Sequence, residues 1–149
     1  MTHSPAEIIK QLLIDLEHGV EVPEVKTTKP DWAIYTNYYP DSDKESDNIL
    51  CIYDTAGLID GRDHRNKQSI EHPGWQVRVR AKNFSTGWSK IDTVKRALEQ
   101  VARREVTIDE QTYVVAGIHR TGTPIPLNAS ENDRKRREAF TLNGICTIT

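Results

Sequence analysis

From Trp75 to Lys82 the chain reads Trp-Gln-Val-Arg-Val-Arg-Ala-Lys, an unbroken alternation of apolar and polar side chains. An extended strand sends successive side chains to opposite faces, so this run predicts one strand inside a sheet with a covered face. Trp75, Val77 and Val79 are expected on the core side, and Gln76, Arg78 and Arg80 on the other. The polar row has two readings that the sequence leaves open. It is a plain solvent face, or it is a subunit boundary where arginine forks pair with carboxylates.

Two amphipathic segments can cover that sheet. Ser4-Pro5-Ala6-Glu7 combines a capping hydroxyl, a proline at the first helical position and a glutamate three residues after the cap, which predicts a helix start. Ile8, Ile9, Leu12, Leu13 and Leu16 then share a face, and Gly19 is placed to end the helix. A second helix, capped by Ser85 or Thr86, repeats Trp88, Ile91, Val94, Leu98 and Val101 at helical spacing, with Lys90, Lys95, Arg96 and Glu99 outward.

Further strands are predicted at Trp32–Tyr39, Asn48–Asp54, Val106–Ile108, Tyr113–Ile118 and Phe140–Ile148, the middle pair joined as a hairpin through Asp109-Glu110-Gln111. Residues 21–31, with Pro23 and Pro30, read as an irregular connector, and 41–47 as a polar tip. Gly57 to Gly74 and residues 120–138 read as long polar loops, which in compact domains usually carry contacts. Two helices are too few to cover both faces of such a sheet, and a short hairpin makes antiparallel neighbours. The expected fold is α+β: a mainly antiparallel or mixed sheet of about five to six strands, two helices packed on one face, and long polar loops.

At 149 residues the chain is expected to form one domain, spanning 1–149, which buries about 70% of the surface its unfolded chain exposes. The formal charge of −2, with both signs spread along the chain, gives no global basic footprint for nucleic acid. No window approaches the ~20 apolar residues of a membrane span, and the first residues lack a basic segment followed by an apolar one. Synthesis in the cytosol is the expectation. Cys51 and Cys146 each lie in an apolar run without C-x-x-C spacing, which predicts buried thiols rather than a disulfide or metal ligands.

Asp54-Thr55-Ala56-Gly57 matches the D-x-x-G of GTPases, but no G-x-x-x-x-G-K-[ST] loop precedes it to hold the phosphates, so it reads as a strand-end turn. Asp60, Asp63, His64 and His72 offer four ligand types within one loop at a spacing that fits no standard metal site. A small metal-dependent enzyme using His64 and His72 is therefore only an alternative, and no catalytic residue, metal or cofactor is expected. No serine or cysteine sits at a glycine-flanked elbow near a histidine. The basic residues Arg62, Arg65 and Lys67, and Arg134, Lys135, Arg136 and Arg137, are nearly neutralised by Asp60, Asp63, Glu131, Asp133 and Glu138. That balance favours a solvated face or a protein contact over phosphate readout. The candidate interface set is Arg62, Arg65, Gln76, Arg78, Arg80, Arg134, Arg136 and Arg137.

The stretch Pro73-Gly74-Trp75-Gln76-Val77-Arg78-Val79-Arg80-Ala81, preceded by Cys51-Ile52-Tyr53-Asp54-Thr55-Ala56-Gly57 and followed by a helix, resembles the minor capsid or tail terminator proteins of long-tailed bacteriophages. Gly122-Thr123-Pro124-Ile125-Pro126-Leu127, a charged loop ending at Arg137 and the strand Phe140–Ile148 follow the same pattern. The resemblance runs from about Trp32 onward. It implies a non-catalytic virion subunit at the head–tail junction, assembled in the host cytoplasm. Such a subunit forms a ring, commonly a hexamer, that stops tail-tube growth and meets head-completion or connector proteins. DNA would touch it only in passing through the lumen, and no membrane is involved. The alternatives are a head-closure or adaptor protein of the same neck, and a monomeric host adaptor domain.

Overall fold

The computed structural model describes residues 1–23, 30–38, 45–65, 67, 69–127 and 137–149. Helix α1, Pro5–Asp15, starts on the expected capping box: Glu7 N donates to Ser4 Oγ (3.4 Å) and Ser4 N to a Glu7 carboxylate oxygen (2.7 Å). It buries Ala6, Ile8, Ile9, Leu12 and Leu13. Glu17, at φ +63°, turns the chain out of the helix, two residues before the glycine expected to do so. Helix α2, Phe84–Glu99, is capped by Asn83, whose side-chain oxygen accepts from Thr86 N at 2.9 Å, and not by Ser85 or Thr86. Asparagine holds the extended backbone of a cap as readily as serine does.

The strands are β1 Ala33–Thr36, β2 Ile49–Arg62, β3 Ser69–Ala81, β4 Ala102–Ile108, β5 Gln111–Arg120, β6 Ile125–Leu127 and β7 Glu138–Ile148. They form one mixed sheet in the order β1-β2-β3-β7-β5-β4, with β6 also paired to β7. Among the described strands only β1 and β2 run parallel, Ala33 opposite Ile49, and the chain between them includes 39–44, which lie outside the described residues. The β4–β5 hairpin turns on Asp109 and Glu110, both at positive φ (47° and 65°), as a two-residue primed turn requires. Strand β7 is central. It pairs with β3 from Glu138 to Ile145 on one side, and with β6 and then β5 on the other.

Both helices lie on one face, because residues from each share a single apolar cluster with one row of the sheet. Leu50, Ile52, Trp75, Val77, Val79, Phe140, Leu142 and Cys146 meet Ile8, Ile9, Leu12, Leu13, Ile91, Val94 and Leu98, all buried. Burying each large apolar side chain stabilises the fold by about 1.5–3 kcal/mol. The opposite face holds a smaller cluster of Ala33, Tyr35, Ile49 and Cys51. Both cysteines are free and buried. Burial, and secondarily Asp54, pushes the Cys146 thiol up to about 12, so it stays neutral at physiological pH.

Four expectations change. Gly57 to Gly74 is no loop: β2 and β3 run through most of it as a hairpin, with Asp54–Gly57 inside β2 rather than at a strand end. Within 120–138, residues 125–127 form β6, while 128–136 lie outside the described residues. The strand expected at Trp32–Tyr39 shortens to β1, since Trp32 takes φ +64° and Tyr39 lies outside the described residues, as do 41–44 of the expected tip. Trp88, expected in the core, is 42% exposed, and Lys90, expected outward, lies half-buried over the Trp32 ring at 4.9 Å. Burial holds the Lys90 ammonium pKa below its usual range.

Helix α2 approaches β7 closely because Gly87 has no side chain: a Cβ there would sit 2.2 Å from the Phe140 ring and 3.1 Å from Ala81 Cβ. Phe140 is fully buried and hemmed by Phe84 at 5.2 Å and Trp88 at 6.1 Å between ring centroids, so it has little room to give. Gly87→Ala is therefore expected to lose about 1–3 kcal/mol through overpacking, despite alanine's better helix propensity. A urea titration that finds the variant equal to or more stable than the parent would contradict this packing.

Candidate partner interface

Strand β3 is held on its far side by β7 only as far as Gly74, and β1 covers β2 only from Ile49 to Ile52. Beyond those limits the two strands pair with each other, Thr55 with Gly74, Leu58 with His72, Ile59 with Glu71 and Arg62 with Ser69. The result is a two-stranded arm of roughly six to eight residues per strand, about 20–25 Å long at a strand's usual rise. A bulge between Thr55 and Leu58 marks its root. Here Gly57 and Gly74 let the strands nearly touch: a Cβ on Gly57 would meet the His72 carbonyl oxygen at 2.0 Å, and one on Gly74 the Ala56 carbonyl oxygen at 2.4 Å. His72 ties the root to the sheet through Nδ1 and Thr147 Oγ1 at 3.1 Å, and its Nε2 lies 3.7 Å from Asp60.

The arm is solvated on both faces, yet it carries three large apolar side chains. Leu58 is 57% exposed, Ile59 73% and Ile70 45%. The bulge shifts β2 by one residue, so Leu58 shares a face with His72 and Ile70, while Ile59 and Glu71 occupy the other. A ribbon with apolar groups on both faces, and no layer of the described residues against either, is incomplete as a folded unit.

Over the main sheet, the face opposite the helices is a buried polar cluster. Arg80 is 2% exposed and donates from Nη2 to the Ser46 carbonyl at 2.9 Å. Arg137, 5% exposed, sits 3.8 Å from Asp47, and the Tyr35 hydroxyl bonds to the buried Glu45 carboxylate. Burial and then that carboxylate push the Tyr35 phenol pKa well above its ordinary value. These groups fasten residues 45–47 and the start of β7 onto the sheet.

The eight interface candidates therefore separate. Arg62 and Arg65 are exposed on the arm. Gln76 and Arg78 are half-buried on the sheet, Gln76 bonded to Asn143 at 3.0 Å and Arg78 stacked 5.3 Å over the Tyr53 ring. Arg80 and Arg137 are not on an outward face, because both guanidinium groups are taken up inside the subunit. Arg134 and Arg136 lie outside the described residues, with Lys135. The residues missed from sequence are the arm's Leu58, Ile59 and Ile70 and the acids Glu45 and Asp47. The adjacent pair Leu58-Ile59 inside a polar stretch was the available signal; nothing local marks Glu45 for burial.

Asp54, the aspartate of the D-x-x-G match, serves the fold: its carboxylate accepts from Ala6 N at 2.9 Å, in the first turn of α1, and from Asn37 Nδ2 at 2.7 Å. His72 and Asp60 approach each other, but among the described residues no group of three His, Cys, Asp or Glu side chains could hold a metal ion. No helix among the described residues is long and apolar enough to cross a membrane.

The described residues thus form an α+β body with a curled mixed sheet, from which a ribbon projects with apolar side chains on both faces. The family model described as bacteriophage tail terminator protein matches residues 13–139, and the chain belongs to that family. It is a structural component of the phage virion, working among other tail and head proteins. No curated protein matches the chain.

The arm and the polar cluster should respond differently to the loss of an arginine. Arg80→Ala strips a buried charged donor from the Ser46 carbonyl, and leaving that buried acceptor unmet costs about 1–3 kcal/mol. Arg62→Ala and Arg65→Ala, at exposed arm positions, should leave stability within about 0.5 kcal/mol. Thermal unfolding of the three variants reads both effects; an Arg80→Ala protein as stable as the parent would remove the cluster's structural role.

Proposed function

We propose that this chain is the tail terminator subunit of a long-tailed phage. Copies close into a ring, about six by the family resemblance, through heterologous contacts whose rotation returns to its start. One side of the ring caps the finished tail tube, and the other receives the head-completion or connector proteins. The observation that best supports this reading is the family match over most of the chain, and the unsupported arm at Thr55–Gly74 fits it as an intersubunit or tube contact. Arg62, Arg65, Gln76 and Arg78 remain the candidate polar contacts of those surfaces.

The arm is exposed in the single subunit and gains a packing layer only on docking within the assembly. DNA passes through the lumen without tight phosphate contacts, for which the near-neutral charge of −2 is suited.

Removing the protein from an infecting phage tests the role directly. Loss of a terminator leaves tail tubes of uncontrolled, excessive length, whereas loss of a head-closure or adaptor protein leaves tails of normal length without heads. Overlong tubes in electron micrographs, restored to one length by the parent chain but not by a chain trimmed at residues 60–70, are the expected outcome. Normal-length detached tails would contradict the terminator role and favour the head-closure reading.

A further inference from the structure

A second exposed apolar surface lies at the far end of the same strand from the arm. Where β3 ends at Ala81, α2 begins, and Phe84 (50% exposed) stacks on Trp88 (42% exposed) with centroids 6.1 Å apart and planes within 8°. Both rings rest on the buried Phe140, whose cross-strand partner Pro126 is also exposed. The patch is thus a preformed aromatic platform held from beneath, with no layer of the described residues above it.

From Ile70 on the arm to Ala81 beside the platform, β3 spans roughly 35 Å at the usual rise per residue. An arm pointing away from one end of a strand cannot reach a platform at the other end of the same chain. The two surfaces can meet only between molecules, and a contact joining different patches on identical subunits is of the head-to-tail kind that builds rings.

Their chemistry also matches. Glu71 shares the arm face of Ile59, and the exposed Lys82 borders the platform. The arm offers sixteen described residues between Ala56 and Pro73, nearly all exposed, which approaches the roughly 20–30 residues a side of a stable interface. Stacked aromatics at the centre of a patch are the residue types that dominate binding energy.

We propose that the β2–β3 arm of one subunit docks on the Phe84–Trp88 platform of the next copy, with Ile59 against the rings and Glu71, on the same arm face, near Lys82. This rests on the ring reading above and names the surfaces that close the ring.

Cysteine cross-linking in the full chain tests it, using Ile59→Cys and Ser85→Cys, both at exposed positions, while native Cys51 and Cys146 stay buried and unreactive. A short bismaleimide should convert the double variant into a ladder of covalent oligomers. An equal mixture of the two single variants should stop at the dimer, and neither single variant alone should cross-link. Independently, Ile59→Asp should weaken self-association by about tenfold or more, the equivalent of losing about 1.4 kcal/mol of contact. Rings seen by native mass without any ladder would overturn the docking and leave the ring reading intact. Cross-linking of Ile59→Cys alone would show an arm-to-arm contact and overturn it as well. A monomer at every concentration, with no product, would take down both.

Discussion

The antiparallel ladder between β2 and β3 organises this molecule. Along its first half it is covered: the register that sets Val79 opposite Leu50 and Val77 opposite Ile52 places one row beneath both helices and the alternate row against the polar cluster. Along its second half, past Gly74, the same ladder continues with no third strand and no helix among the described residues. A single hydrogen-bonded ribbon thus supplies both the centre of the domain and the element that leaves it. Bulging at Thr55/Leu58 separates the two regimes and turns the arm's side chains relative to the core rows.

The two faces of the covered half are finished by different physics. The helix side is an apolar layer whose closest approach, Gly87 against Phe140, leaves no spare volume. The other side buries charge, with Arg80 and Arg137 serving Ser46 and Asp47, and Tyr35 serving Glu45. Buried charges are costly to desolvate and tolerable only when their hydrogen bonds are met. That demand is directional in a way apolar packing is not. It fixes where residues 45–47, just before β2, and the entry to β7 lie on the sheet.

Sequence reading recovered what the core dictates. The alternation at Trp75–Lys82, the capping box at Ser4–Glu7, the heptad-like spacing through Ile91, Val94 and Leu98 and the closing strand at Phe140 are each imprinted by one buried face, and each is found in the fold. The arm escaped detection because a ribbon solvated on both faces has no periodic apolar row, so backbone pairing alone makes it a strand. Arg80 was misplaced for a related reason: alternation assigns it to the face opposite the core, but only the tertiary position of residues 45–47 makes that face an interior. Trp88 follows the helical period of the core residues, yet lies near the start of α2, where it rests on the Phe140 ring from outside and stays exposed. Of the candidate site, the polar members on the arm were legible, and the apolar ones that give the arm its need for a partner were not.

The central claim is that the Thr55–Gly74 arm is a contact element completed by assembly. Amide hydrogen–deuterium exchange on the isolated subunit and on assembled tails tests it most directly. Amides from 56 to 73 should exchange quickly in the free subunit and become at least about tenfold slower in the assembly, while those of β3 from Trp75 to Ala81 remain slow in both. An arm that exchanges equally fast in both states would mean that it makes no contact in the assembly, and would contradict the account.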